Sequence, residues 1–377
     1  MMEESAMSSS FGNNFRLQLF GQSHSRAIGF TIDTLPAGCV IDTQALERFT
    51  DRRAPGRNRF STARKETDKP DFICGVLPDM NDPKRLITCG APLTVIIRND
   101  DTRSSDYSAV SDIPRPSHAD YTAHIAYGGF EDVRGGGHFS GRLTAPLCAA
   151  GGICKQILEQ KGIYIGAHIA SIGDITDVRY DPAGVVKEDL IKTADGSFPV
   201  LDPDAGESMK ALIEECRADL DSVGGVVECA IIGMPAGLGS PMFGSLESRI
   251  SQAIFAIPAV KGIEFGSGFD GAAARASRNN DPFRIVDGRV VSVTNSHGGI
   301  LGGISSGMPV IFRAAFKPTP SIAKRQESVS YSRGENASIE IVGRHDPCIV
   351  PRALPVVEAV AAIVVLDALL DADKCNN

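Results

Sequence analysis

The chain has no tryptophan, only 6% aromatic residues, and no cysteine pair spaced C-x-x-C. Its nine cysteines lie scattered over 377 residues. That irregular spacing excludes a zinc finger or ribbon, and the odd count fits reduced thiols in a cytosolic compartment better than a disulfide framework. Positive charge is not in excess. The formal net charge of −8 argues against a general nucleic-acid binder and against a protein held on an anionic membrane surface. The N-terminal stretch MMEESAMSSSFGNNFR lacks the basic-then-apolar pattern of a signal peptide. No uninterrupted membrane-length apolar run occurs either. The most apolar stretch, Leu354 to Leu370, is broken by Glu358 and Asp367 and predicts a buried helix. Together these absences describe a soluble cytoplasmic protein.

Two nucleotide signatures are also missing. The order GxxxxGK[ST] does not occur, and no GxGxxG follows a clear strand, so neither a P-loop nor a Rossmann site is expected. There is no linker, low-complexity tract or short-period repeat, which predicts a single domain, over residues 11–371, with flexible termini.

What is present reads as a mixture of helices and short strands. Asp42 can cap a helix through Arg53, and others are expected at about Leu143–Lys161, Ala205–Val223, Leu246–Ile257 and Pro351–Leu370. Strand-like runs cover Phe15–Phe20, Ala27–Leu35, Leu93–Arg98, Val226–Met234, Val290–Thr294, Pro309–Phe316 and Ser338–Val342. Strand–helix units do not recur regularly, which disfavours a TIM barrel or doubly wound sheet and predicts an α+β arrangement. Long polar stretches at Asp51–Asp71, Asn99–Arg134 and Ala315–Arg344 are rich in Arg, Pro and Gly. Loops of that length in a compact chain are usually functional or disordered, and their Arg, His and Asp content favours function.

Five segments carry chemistry. Gly21-Gln22-Ser23-His24-Ser25 follows a strand, where a histidine can project into a cleft as an acid or hydrogen-bond donor, or can be a structural histidine satisfied by hydroxyls. The stretch from Asp51 holds Arg52, Arg53, Arg57, Arg59 and Arg64 around a Pro55-Gly56 turn. Guanidinium groups so crowded repel one another unless anions or carboxylates compensate, and Arg suits bidentate capture of phosphate and carboxylate. Arg115-Pro-Ser-His118-Ala-Asp120-Tyr121 leads on to Arg134-Gly-Gly-Gly-His138-Phe139-Ser140-Gly141-Arg142. Its triple glycine, just before a helix start, would present backbone N–H groups to an anion. Asn295 to Pro309 contains paired glycines that allow close approach to a flat ligand, and Lys317-Pro318-Thr319-Pro320-Ser321 adds a cation and hydroxyls. Gly343-Arg344-His345-Asp346-Pro347 opens the last helix, where ordinary capping is the simpler reading of the segment taken alone.

In this order and combination the segments, together with Val260-Lys-Gly-Ile-Glu-Phe-Gly, resemble the chorismate synthase family over nearly the whole chain, about Phe11 to Leu370. The resemblance implies a β-α-β sandwich with long central helices between antiparallel sheets, and a homotetramer. It implies a carbon–oxygen lyase of the shikimate pathway that performs an anti 1,4-elimination of phosphate from 5-enolpyruvylshikimate 3-phosphate, with reduced FMN required but not consumed. Carried over position by position, His24 would be the acid at the departing phosphate, His118 would stabilise the reduced flavin near N1 and the C2 carbonyl, and Asp346 would tune the N5 proton. Arg53, Arg59, Arg134 and Arg142 would meet the substrate's anions. His138, Phe139, Ser140, Pro258, Ala259, Gly302, Lys317, Pro318, Thr319, Pro320, Ser321 and Arg344 would contact FMN, and no metal is implied. Gln22 and Ser25 depart from the family's Gly-Glu-Ser-His-Gly; His138, Phe139, Gly141 and Leu143 depart from its Gly-Gly-Gly-Arg-Ser-Ser-Ala-Arg-Glu. The second change keeps a non-catalytic relative that binds flavin or anions as the alternative reading. A reductase using NADPH is a third, but no nicotinamide-binding motif is present, so an external flavin reductase is the expected electron source.

Overall fold

A computed structural model describes residues 9–56, 68–99, 112–341 and 346–375. Two five-stranded antiparallel sheets enclose two long helices. The first sheet runs in the order Ser10–Phe11, Arg16–Phe20, Ala27–Asp33, Leu93–Arg98, Asp71–Cys74. Its central strands alternate: Ile28, Phe30 and Ile32 are fully buried, as are Leu93, Val95 and Ile97 on the paired strand. That period of two turns one face to the core. The second sheet has the order Ile175–Thr176, Tyr164–Ile172, Gly225–Ile232, Val310–Phe316, Val260–Phe265. Its middle strands are buried on both faces.

Between the sheets lie the helices Thr144–Gln160 and Val350–Cys375, which pack on each other. Small residues make this possible. A Cβ added to Gly151 would sit 2.3 Å from Cα of Ala359, so only glycine allows the two backbones so close. The C-terminal helix meets the second sheet and Thr144–Gln160 reaches the first, so one hydrophobic cluster runs from Phe15 to Ala368 through all three layers. This is the expected β-α-β sandwich of class α+β.

The C-terminal helix is longer than its apolar core suggested, at 26 residues. By length and composition it could cross a membrane, but 89% of its most apolar window is buried inside the protein. The two charges that interrupt it are buried and paired. Glu358 accepts both Nη groups of Arg52, at 2.8 and 2.7 Å, and the backbone N–H of Ala167. Asp367 accepts the backbone N–H groups of Asn13, Asn14 and Phe15 and pairs with Arg249.

Most predicted elements occur, with shifted ends. Asp42 does cap Thr43–Asp51, accepting from the N–H of Ala45 at 2.8 Å. The helix expected to reach Val223 spans Pro203–Ala218. The predicted strand Ser338–Val342 is observed as Glu335–Ile339, pairing with Gln326–Ser330 inside what read as a loop. Among the elements that went unpredicted are the strand Tyr164–Ile172 and the helix Asp120–Tyr127.

Candidate active site

A cleft of about 1100 Å³ opens beside the two central helices. The N-terminal strand, the start of helix Thr144–Gln160, the Pro258–Ala259 turn, the Lys317–Ser321 segment and the first turns of the C-terminal helix all contribute walls. Arg53, Arg115, Arg142, Lys261, Lys317 and Arg352 line it against a single lining carboxylate, Asp346, among the described residues. A concavity with that excess of cations suits a polyanionic ligand.

Two arginines meet on one carboxylate. Arg53 and Arg142 are 3% and 6% exposed, and each pairs through Nη1 with a different oxygen of the fully buried Asp68. Burial opposes the charge on Asp68, but the two guanidinium groups outweigh it and hold its carboxyl below the usual range. Thr144 fixes Arg53 at Nε, 3.0 Å away, and Asn99 fixes Arg142 at Nε, also 3.0 Å. Arg352 donates from Nε to the carbonyl of Arg53 at 3.0 Å and pairs with Asp346, tying the C-terminal helix to both.

His118 stands at the start of helix Asp120–Tyr127, in a second knot. Its Nδ1 lies 2.6 Å from Asp120 Oδ1, and Arg115 brackets the same carboxylate from Nε at 2.7 Å and Nη2 at 2.8 Å. The third nitrogen of Arg115, Nη1, reaches Ser321 Oγ at 3.3 Å. The Lys317 ammonium donates to the carbonyl of Ser117. Burial, with nearby Lys261, pushes the pKa of Lys317 down.

The triple glycine works differently from the expectation. The long helix begins only at Thr144, so its N–H groups are not those of Gly135–Gly137. All three glycines have positive φ and form a tight turn under the histidines. A Cβ on Gly135 would lie 2.5 Å from His24 Cε1, and one on Gly136 would lie 3.1 Å from His118 Cε1. The missing side chains make room for two imidazoles, which only glycine in this backbone conformation allows.

The predicted residues divide as follows. Arg53, His118, His138, Phe139, Ser140, Arg142, Pro258, Ala259, Lys317, Thr319, Pro320, Ser321 and Asp346 line the one cleft. His24 is half-buried and lies behind Gly135, which lines the cleft. Arg134 is not brought in: it is exposed and engaged by Asp132 at 2.8 and 2.9 Å. Gly302 sits at the tip of the hairpin Ile300–Leu301/Ile304–Ser305, and neither it nor Pro318 lines the cleft. Arg59 and Arg344 lie outside the described residues. His138 lines the cleft with both ring nitrogens engaged, Nδ1 at 2.7 Å from the carbonyl of Gly21 and Nε2 at 2.6 Å from Ser9 Oγ. The paired glycines at 298–299 serve internal packing: a Cβ on Gly298 would meet Gly266 and one on Gly299 would meet Pro309.

Sequence reasoning overlooked Arg115, Asp120, Asp68, Lys261 and Arg352. The first two stood inside a motif already singled out, flanking its histidine. Asp68 and Arg352 carried no local signal, because their partners are remote in the chain.

A phosphorylated flavin fits these walls. Thr319 Oγ1 is buried with no hydrogen-bond partner at the cleft surface. An orphaned hydroxyl beside Lys317 and Ser321 is a ready donor to an anionic ligand. The exposed ring of Phe139, edge-on to Tyr127 at 6.0 Å, offers an apolar face nearby.

The comparisons with known proteins agree with one another. A family model described as chorismate synthase matches residues 15–370. A chorismate synthase of Thermococcus kodakarensis is 45% identical over 359 residues, 95% of this chain and 97% of that one. One from Korarchaeum cryptofilum is 42% identical over 96% of this chain and 97% of its own length. A crystal structure of a chorismate synthase superposes with a TM-score of 0.74 at 28% identity, covering 96% of this chain and 93% of that one. With its sandwich, its cationic cleft and its sequence matched over residues 15–370, the chain belongs to the chorismate synthase family.

Proposed function

We propose that this protein removes phosphate from 5-enolpyruvylshikimate 3-phosphate by anti 1,4-elimination to give chorismate, with FMN bound in its reduced form in the same cleft. The observation that carries the reading is the convergence of Arg53, Arg142 and Arg352 with His118 and Asp346 in one cleft. Such a site is built for an anionic substrate and for control of a proton.

Arg53 and Arg142 bind the substrate's anionic groups. Asp68 cancels only one of their two charges, so a guanidinium charge is left for the ligand, and fixed donors act strongly in a water-poor site. His24, behind Gly135, protonates the departing phosphate, which lowers the barrier to C–O cleavage. Lys317, Thr319 and Ser321 hold FMN by charge and hydroxyls, with Pro258 and Ala259 shaping the wall. Reduced FMN, when bound, would supply electron density for C–O cleavage and an acceptor for the hydrogen lost from C6. His118, as an imidazolium paired with Asp120, would donate a hydrogen bond to the flavin's electron-rich edge. Asp346, paired with Arg352, presents a carboxylate to the cleft that can accept a proton. An external reductase supplies reduced flavin, and the working assembly is a homotetramer.

An anaerobic assay with 5-enolpyruvylshikimate 3-phosphate and chemically reduced FMN tests this directly. Stoichiometric chorismate and phosphate, formed only with reduced flavin, is the expected result. Binding of FMN or substrate without any product would refute it.

A further inference from the structure

His118 has two ring nitrogens, and the cleft chemistry depends on which one carries the proton. Nδ1 is 2.6 Å from Asp120 Oδ1 and 3.0 Å from Arg115 Nη2. These contacts make opposite demands. A carboxylate only accepts, so it requires N–H at Nδ1; a guanidinium only donates, so it requires a lone pair there. The carboxylate contact is much the shorter, and Arg115 Nη2 has an alternative acceptor in the same Oδ1 at 2.8 Å. The carboxylate therefore decides.

Asp120 is held firmly enough to decide. It is 7% exposed, and its two oxygens receive four donors: the backbone N–H of Arg115 at 3.0 Å, Arg115 Nε and Nη2, and His118 Nδ1. Burial works against the charge, but Arg115 and His118 outweigh it and the carboxyl is held well below its ordinary range. The opposite edge of the imidazole lies beside Gly136, where an added Cβ would come within 3.2 Å of Nε2.

We propose that Asp120, clamped by Arg115, is a positioning residue that keeps the proton of His118 on Nδ1, so that Nε2 is the nitrogen presented to the cofactor, and that the Arg115–Ser321 hydrogen bond ties this choice to the cofactor-binding segment. The proposal rests on the reading of His118 as a cofactor-facing residue whose donor form at Nε2 is the imidazolium. A neutral ring then offers a lone pair at Nε2. A second proton converts Nε2 into a donor, and the resulting imidazolium is compensated by Asp120. Without the carboxylate, Arg115 Nη2 donates into Nδ1 and the neutral ring must carry its proton on Nε2.

Histidine side-chain ¹⁵N spectra of the ligand-free protein test the tautomer without any turnover, with the His118 signal assigned by its loss in His118→Gln. The expected wild-type pattern is protonated Nδ1; a neutral ring protonated at Nε2 overturns the proposal, whatever the variants do. Asp120→Asn places an amide NH₂ against two donors and should shift His118 to the Nε2–H form, with turnover reduced by about 10²-fold, the scale of one positioned acid–base group. Asp120→Glu keeps the charge and should restore the Nδ1–H pattern. An Asp120→Asn protein with both the wild-type tautomer and wild-type turnover overturns the proposal. If His118→Gln itself leaves turnover and the reduced-flavin spectrum unchanged, the functional reading of His118 fails, while the tautomer spectra still decide the role of Asp120.

Discussion

Two of the buried-charge systems among the described residues differ in whether they close on themselves. In the second sheet, His168, Glu228, Arg313 and Glu264 stand opposite one another across four adjacent strands, by register His168↔Glu228, Glu228↔Arg313 and Glu264↔Arg313. Asp177 completes the row at His168 Nδ1, 3.0 Å away. Signs alternate along it, and its members also take backbone groups: Glu228 accepts the N–H of Tyr180, and Arg313 donates to the carbonyl of Gly266 at 2.7 Å. In the cleft, by contrast, Asp68 and Asp120 sit behind arginines that line an open cavity, and Thr319 keeps an unpartnered hydroxyl. The same residue types make a scaffold where every donor meets an acceptor within the protein. They make a binding site where cationic donors outnumber acceptors at a surface.

Substitutions at matched depth sharpen this contrast. The largest expected effect is in the ladder. Glu228→Gln leaves His168 and Arg313 facing a neutral amide, and breaking a buried pair in this way costs about 3–5 kcal/mol. Denaturant unfolding should show that loss, while KM for substrate in the folded enzyme stays near the wild-type value. Wild-type stability with lost turnover would place the ladder in the chemistry and erase the distinction. A smaller effect is expected from Arg53→Lys or Arg142→Lys. Lysine keeps the charge over Asp68 but loses the planar fork, worth about 1.5–3 kcal/mol for hydrogen bonds to charged groups, or roughly tenfold to a hundredfold in kcat/KM. The unfolding midpoint should move far less than in Glu228→Gln. Unchanged kcat/KM in both would remove these arginines from substrate binding.

The two systems also differ in how far they could be read beforehand. The cleft announced itself because its residues cluster in short, chemically improbable segments: Arg52-Arg53, Arg115 to Asp120, Arg134 to Arg142. Nothing comparable marked the ladder. His168 lies in YIGAHIASI, a strand buried on both faces, so no alternation of apolar and polar residues distinguished it from loop or helix. Helix Asp120–Tyr127 was hidden because glycine and arginine on either side made its surroundings look irregular. Asp42, by contrast, was legible as a cap, since capping depends on three neighbouring residues alone. Arg352 shows the limit at the site itself. It sits in the first turns of a helix that reads as core, and its partners Arg53 and Asp346 are brought to it by tertiary packing. Arg134 is the opposite case: it sits inside the right motif, yet in this structure its neighbour Asp132 holds its guanidinium.

The smallest effect separates the two systems by pH. His168 is fully buried, with Asp177 at Nδ1 and Glu228 Oε2 at 2.9 Å from Nε2, and only an imidazolium can donate to both. Burial opposes that charge, but the two carboxylates outweigh it, and the pKa of His168 is raised. The Tyr180 ring, edge-on at 4.6 Å, adds no charge, and Arg313 is separated from the imidazole by Glu228. A raised folded pKa means the ladder's contribution is complete below the unfolded value of about 6.5 and is lost as pH rises through the folded value. Asp177 and Glu228, like Asp68 and Asp120 in the cleft, are shifted down. Their contributions are present above the unfolded carboxylate values and are lost as pH falls through the folded ones. Cleft and ladder therefore share the acid limb of the stability profile, whereas the alkaline decline associated with His168 belongs to the ladder. Unfolding free energies from urea titrations between about pH 6 and 9 should fall by no more than about 1.4 kcal/mol per pH unit for one proton, and His168→Gln should flatten that limb while lowering stability throughout. A wild-type profile already flat over that range would mean that His168 is neutral and that the ladder's alternation of charge stops at Glu228.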